Sequence, residues 1–226
     1  MNAKLLVLGG FGLGLAFIAT RKRTAEANGA RINGARINGV RSSNTGGYSG
    51  VGRVETFPIT STSHNKVESI VYEMLVDART SPSVEALAES ILAEKGIPFQ
   101  PSLDAAVAIH RYVADSVPKI PDPPAWEHIT DPGTLSAIIM NNGELPVAGL
   151  DCDDAATLAA ALYQIVGMPS TVCFLDFEGD GMIDHAIPMV DIPGRGLTFA
   201  ETMVRGVPLG WVPSHVSAEC LAMGSE

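Results

Sequence analysis

Two residue types in the second half of the chain, one cysteine and one histidine, have the spacing that thiol chemistry requires. Cys152 lies at the start of a predicted helix over residues 151–167. Unpaired backbone N–H groups and the positive end of the helix dipole at that position favour a thiolate. The same N–H groups can stabilise an oxyanion that develops on a substrate carbonyl. Three aspartates adjoin the cysteine and oppose thiolate formation, so a nearby imidazolium is required, and His185 is the candidate.

His185 begins a predicted strand, and the residues after that strand predict a hairpin. The sequence Pro193-Gly194-Arg195-Gly196 is typical of a tight turn. A turn centred on Gly194 pairs residue 185 with residue 203, and the diagonal neighbour on the same face is Glu201. The Glu201 carboxylate would accept a ring N–H of His185 and fix its tautomer. The spacing therefore predicts Cys152 as nucleophile, His185 as base and Glu201 as the orienting acid.

The segment around the cysteine resembles the cysteine motif of the transglutaminase-like superfamily. That segment reads Gly149-Leu150-Asp151-Cys152-Asp153-Asp154-Ala155-Ala156-Thr157-Leu158. His185-Ala186, the glycine turn and Glu201-Thr202 resemble the histidine strand and acidic segment of the same family. The likeness covers roughly residues 100–205 and implies a papain-like core with a Cys-His-acid triad. Its short Asp-Cys-Asp-Asp form also resembles domains of tailed-phage proteins.

The sequence departs from the family pattern in three places. Glu201 stands where Asp is usual, and Leu150 stands where Gly commonly precedes the Asp-Cys pair. Pro188 interrupts the histidine strand, so that strand is expected to be an edge or to be bulged there.

The resemblance implies a thiol-dependent peptidase or amidase that acts on a peptide or protein substrate without a cofactor. One alternative is a catalytically silent structural protein of a virion or membrane that uses the fold for contacts. A second alternative is an acyl transferase that cross-links proteins.

The remaining pattern predicts an α+β fold with helices packed on an antiparallel sheet. Residues 56–226 form the predicted domain. Helices are expected from residue 65, around Pro82 to Gly96, from Ser102 to Pro118, and over 133–140, with Asp151 and Asp154 forming a capping box at the fifth helix. Strands are expected at 54–63, 170–177, 185–192 and 197–204, and Cys173 is expected in the core.

The N-terminal segment carries a different signal. Residues 5–20 hold no charge and are followed by Arg21-Lys22-Arg23. As a helix this run spans roughly 24 Å, so residues 1–23 are interpreted as a short anchor in a membrane or a virion. The basic flank would keep the domain on the cytoplasmic or particle-inner side. A secretory signal and a buried helix in a larger particle are the alternatives.

Net charge also differs between the N-terminal part of the chain and the predicted domain. Residues 1–55 carry a net charge of +6, and residues 56–226 carry −16. An acidic domain repels nucleic acid, so any phosphate contact should come from the linker over 24–55, whose Asn-Gly repeats present three arginines: Arg31, Arg36 and Arg41.

Two metal sites are weaker alternatives. Asp176, Glu178, Asp180 and Asp184 imitate the first positions of an EF-hand loop, although Ile187 stands where the last ligand should be. The other interpretation of these acids is a turn-rich hairpin loop. Zinc on Cys152, His185 and nearby aspartates lacks any paired ligand spacing.

Overall fold

The fold was analysed in a computed structural model, which describes residues 5–6, 53–59, 63–141 and 150–223. Residues 24–52 of the predicted linker over 24–55 and most of the predicted anchor over 1–23 lie outside those residues, whereas Val54 and Glu55 at the end of the predicted linker belong to a strand. Leu5–Leu6 form a two-residue strand, β1, rather than the start of the expected helix. Within the described part of the chain, none of the helices is long and apolar enough to cross a membrane. Anchoring through residues 1–23 stays a prediction.

In the part of the chain that the structure describes, five α-helices form in the order that the periodicity predicts. They are α1 (Ser63–Ala78), α2 (Pro82–Glu94), α3 (Leu103–Arg111), α4 (Pro132–Met140) and α5 (Cys152–Ile165). A π-helical turn, Tyr112–Ser116, extends α3 to the residues before Pro118. Proline occupies the first turn of α2, where its missing N–H is not needed, and Gly96 after the helix adopts φ +66°.

The strands form one five-stranded antiparallel sheet and one separate ribbon. The sheet runs in the order β1-β7-β4-β5-β6, with β4 (Ser170–Asp176), β5 (His185–Ile192), β6 (Gly196–Phe199) and β7 (Ser217–Cys220). The ribbon pairs β2 (Val54–Pro58) with β3 (Trp126–Thr130). The predicted strands at 54–63 and 197–204 are therefore too long, and β3 and β7 were not predicted. The α+β class with helices on an antiparallel sheet is confirmed.

Helix α5 occupies the centre of the core. It contacts β4 and β5 on one side and α1, α2, α3 and α4 on the others. Five alanines, Ala155, Ala156, Ala159, Ala160 and Ala161, are fully buried. Small side chains let neighbouring elements approach closely on all sides, which is typical of a helix without a solvent-facing stripe.

The direction of α5 fixes where its first residue lies. Residues 166–169 connect α5 to β4, so the packed helix and strand run in opposite directions. Strand β5 is antiparallel to β4. Helix α5 and β5 therefore run the same way, and Cys152 and His185 begin their elements at the same end of the core.

Pro188 lies in an inner strand, because β5 pairs with β4 on one side and β6 on the other. The strand as a whole is therefore not an edge, but its ladder with β6 begins at Met189, so Pro188 itself lies just beyond that pairing. Pro188 opposes Val172 in the β4 ladder at a position whose backbone groups point away from β4. On the β6 side, its carbonyl accepts from the N–H of Ala200, 2.9 Å away. The missing proline N–H falls where β6 has just ended.

A disulfide joins Cys173 on β4 to Cys220 on β7. Both half-cystines are buried in a small cluster with Leu175, Ile187 and Ala218. Cys173 lies in the core as expected, and its pairing was not predicted. Since the chain has three cysteines, Cys152 is its only thiol.

Candidate active site

Cys152 is the first residue of α5, and its side chain is partly exposed against the main core. The chain reaches it through Leu150, whose backbone exchanges two 3.1 Å hydrogen bonds with Ile120. This isolated bridge ties the start of α5 to the proline-rich connection. Asp151 is the N-cap residue but makes no side-chain capping bond, so the predicted capping box is wrong. In the first turn of the helix, the backbone N–H of Asp154 donates to Asp153 Oδ1, 2.9 Å away.

The side chains of His185 and Glu201 meet as the hairpin arithmetic predicts. Met189 pairs with Phe199, and Ile192 pairs with Gly196, which centres the turn on Gly194. His185 Nε2 lies 2.7 Å from Glu201 Oε2. A carboxylate only accepts, so Nε2 carries the proton and Nδ1 is the ring nitrogen left to act as a base. The predicted contact is confirmed, while its catalytic role stays a prediction.

Glu201 is completely buried, yet its surroundings favour the ionised form. Oε1 accepts from the backbone N–H groups of Met203 at 2.6 Å and Val204 at 3.3 Å. Burial alone would raise the pKa of Glu201, but the hydrogen bond and charge of His185 and these backbone donors together leave that pKa lowered. The acid is thus a fixed anion that orients the imidazole.

His110 reaches the same acid from the helical layer. Its ring is 1% exposed, and Nε2 lies 2.7 Å from the carbonyl oxygen of Glu201. Burial lowers the pKa of His110, which favours the neutral ring. The apolar helix face on which His110 lies indicates a buried histidine with a hydrogen-bond partner. The sequence does not reveal that this partner is Glu201, 91 residues further along the chain.

Lys119 brings a positive charge near Glu201. Its Nζ donates to the carbonyl of Val113 at 2.7 Å. Burial lowers the pKa of Lys119 to about 8, although the Glu201 and Asp115 charges act in the other direction. Sequence reasoning missed this residue, because a lysine between two prolines carries no periodic signal.

Carboxyl groups crowd the cysteine side of the site. Asp153 and Asp154 are buried, and Asp154 Oδ1 accepts from the N–H of Thr130 at 2.6 Å. Burial, followed by the charge of Asp151, raises the pKa of both well above the usual range. A protonated carboxyl carries no charge, so these two oppose a thiolate less than the sequence suggests.

The crowding continues into the proline-rich connection. Carboxylate oxygens of Asp122, Glu127 and Asp151 lie within 4.8 Å of one another. Burial and the charge of Asp151 raise the pKa of Asp122. The sequence shows these acids as separate residues, and only the approach of β3 to α5 brings them together.

The residues suggested by the sequence for a calcium site and a zinc site are arranged differently from what such sites require. In the loop after β4, Asp176 accepts from the N–H groups of Glu178, Gly179 and Gly181, and Asp184 accepts from Phe177. Within residues 53–59, 63–141 and 150–223, the loop acids do not gather into a group of three metal ligands. Cys152 gathers with Asp151 and Asp153, but His185 is not in that group.

Hydrogen bonds within the loop set the charge of Asp176. Burial acts to raise the pKa of Asp176, and the backbone N–H donors outweigh it and leave that pKa lowered. These contacts are those of a turn-rich hairpin loop whose acids bind its own backbone.

No protein-family profile and no curated protein matches the chain. A solved structure from Parabacteroides distasonis, provisionally described as a protease, is similar with a TM-score of 0.43 and 12% identity over 63% of this chain. The chain spans about a quarter, 26%, of that protein's length.

Proposed function

We propose that this protein is a thiol-dependent hydrolase of the transglutaminase-like type that cleaves a peptide or amide bond. The observation that carries the proposal is the 2.7 Å hydrogen bond between His185 and the buried, ionised Glu201. That bond leaves Nδ1 of the ring as the base. The proposal is also supported by the topology, because α5 and β5 begin at the same end of the core with Cys152 and His185 as their first residues.

The reaction follows from the roles of these groups. Nδ1 of His185 takes the proton of the Cys152 thiol, and Sγ attacks the substrate carbonyl carbon. N–H groups at the start of α5 stabilise the oxyanion. The imidazolium then protonates the leaving amine as the C–N bond breaks. Water, deprotonated by the same ring, hydrolyses the thioester and restores the thiol.

Alkylation kinetics test this proposal without a known substrate. Cys152 is the only thiol, so incorporation of iodoacetamide into the native, unreduced chain reports on that residue alone. We expect rapid alkylation below neutral pH, because a thiolate–imidazolium pair forms well below the ordinary cysteine pKa of about 8.5. His185→Ala should remove the reaction at low pH. Alkylation that rises only near pH ~8.5 in both proteins would contradict the proposal.

The choice of acceptor needs a separate experiment. Incubation with a peptide library and a labelled primary amine distinguishes the two outcomes by mass spectrometry. Hydrolysis yields new carboxyl termini, and acyl transfer yields labelled amides. Cys152→Ala is the control for both. We expect hydrolysis, and amine incorporation without new termini would favour the cross-linking alternative.

A further inference from the structure

We infer that His110 is a positioning residue, which holds the backbone of Glu201 so that the carboxylate stays aligned with His185. This inference rests on the proposed function. His110 comes from α3 in the helical layer, and Glu201 follows β6 at the margin of the sheet. Their hydrogen bond therefore joins two layers at the residue on which the orientation of His185 depends.

The geometry gives Glu201 few ways to move. Its carboxylate oxygens are bonded to His185 and to the N–H groups of Met203 and Val204. Two of those donors belong to the same short segment, so they travel with it. The preceding residue, Ala200, is held by its N–H bond to Pro188. The His110 bond fixes the Glu201 carbonyl itself to a helix, and the bond from the N–H of Gly206 to Asp115, 3.0 Å long, ties the turn that follows to the same layer.

The chemistry of the contact defines what His110 must supply. A carbonyl oxygen only accepts, so Nε2 of His110 carries a proton and donates it. Burial keeps the ring neutral, which avoids a competing positive charge beside the carboxylate. The titratable and charged groups around His110 and Glu201 are His185 on β5, Lys119 after the π-helical turn, Asp115 in that turn, and Arg111 next to His110 on α3.

Three substitutions separate this role from ordinary packing. His110→Phe keeps a ring and removes the donor. His110→Gln keeps an amide N–H near the position of Nε2. Ser170→Ala is the matched control, because the Ser170 hydroxyl donates to a buried carbonyl at the same distance of 2.7 Å, on Ala160, away from Glu201.

The readout is the pH profile of Cys152 alkylation between about pH 4 and 7, below the range in which Lys119 titrates. A loosened Glu201 stabilises the His185 imidazolium less. We expect His110→Phe to move the acid limb up by about one pH unit, which slows alkylation about fivefold at the wild-type midpoint and about tenfold well below it. His110→Gln should stay within about twofold of wild type, and Ser170→Ala should keep the wild-type profile despite a lower melting temperature.

Each outcome decides the inference. A wild-type profile that is already that of an ordinary thiol overturns the proposed function and this inference together. A shifted wild-type profile that His110→Phe leaves unchanged overturns the positioning role alone, and equal shifts in His110→Phe and His110→Gln overturn the donor requirement. If His110→Phe does not fold, His110→Asn, whose amide is shorter, must show the shift, and an unshifted profile there also overturns the inference.

Discussion

Buried carboxyl groups have opposite pKa shifts on the histidine side and on the cysteine side of the site. On the histidine side, Glu201 has a ring N–H and two backbone N–H groups as donors, and its pKa is lowered. On the cysteine side, Asp153 and Asp154 lie among other carboxyls, and their pKa values are raised. Burial is similar on the two sides, so the donors around each acid decide whether it keeps its proton.

The contrast bears directly on the proposed chemistry. In the proposed chemistry, the Glu201 anion orients the ring that accepts the thiol proton. The raised pKa values of Asp153 and Asp154 favour their neutral forms, which would not repel a thiolate at Cys152. The lowered pKa of Glu201 and the raised pKa values of Asp153 and Asp154 therefore both favour the proposed reaction between Cys152 and His185.

The largest expected effect comes from removing the charge on the histidine side. Glu201→Gln keeps the shape of the side chain and removes its charge, so the imidazolium loses its main support. We expect the acid limb of Cys152 alkylation to move up by about two pH units, so that the rate well below the wild-type midpoint falls about 100-fold. Iodoacetamide kinetics measure the effect, with the exposed Glu85→Gln in α2 as the control. An alkylation rate equal to that of wild type would show that the Glu201 charge does not support the reaction of Cys152, and would contradict the comparison.

The cysteine side should show its difference in the pH dependence of stability. Because the folded pKa of Asp154 is raised, the stability it contributes is present below the unfolded pKa and is lost as pH rises through the folded pKa. Asp154→Asn retains an acceptor for the Thr130 N–H and cannot ionise. We expect its unfolding free energy at neutral pH to exceed that of wild type by on the order of 1 kcal/mol.

Urea unfolding at a series of pH values measures that gain, with Asp104→Asn on α3 as the control. Asp154→Asn should also weaken the loss of stability that accompanies the rise in pH above the unfolded carboxyl pKa of about 4. A variant less stable than wild type at every pH would indicate that Asp154 is needed as an anion.

Glu201 should produce the opposite slope. Its folded pKa is lowered, so its contribution is present above the unfolded pKa and is lost as pH falls through the folded pKa. We expect wild-type stability to decline below about pH 4 more steeply than that of Glu201→Gln, by about 1 kcal/mol in total. Thermal unfolding of both proteins across the acidic range checks this, and parallel curves would refute it.

The smallest expected effect concerns the loop between β4 and β5. Asp176 resembles Glu201 because backbone N–H groups favour its ionised form. Since those bonds already occupy its oxygens, millimolar calcium should move the melting temperature by less than about 1 °C. Magnesium is the matched control for ionic effects. A clear, calcium-specific rise that Asp180→Ala removes would restore the EF-hand interpretation.

Local patterns sufficed for the helices and for the contact between His185 and Glu201. The turn Pro193-Gly194-Arg195-Gly196 sets the hairpin register, and register sets which side chains meet across it. The start of α5 was predictable for the same reason, since a helix boundary depends on a few neighbouring residues.

Features that depend on distant partners were not predictable. Strands β3 and β7 are four or five residues long, and the partners of β3 and β7 lie far away in the chain. The bond of His110 to Glu201 and the disulfide of Cys173 with Cys220 depend on those same long-range approaches. The charge state of Asp154 follows from its neighbours in space, which a single sequence does not reveal.

Pro188 has a consequence for the acid that orients the imidazole. A residue with an N–H at that position would complete a reciprocal pair of bonds with Ala200 and extend the ladder toward Thr202. Residues continued in a ladder must alternate sides and stay extended. Pro188 ends the ladder between β5 and β6 one pair early. The residues after Ala200 can therefore turn back, and the backbone N–H groups of Met203 and Val204 can donate to the Glu201 carboxylate.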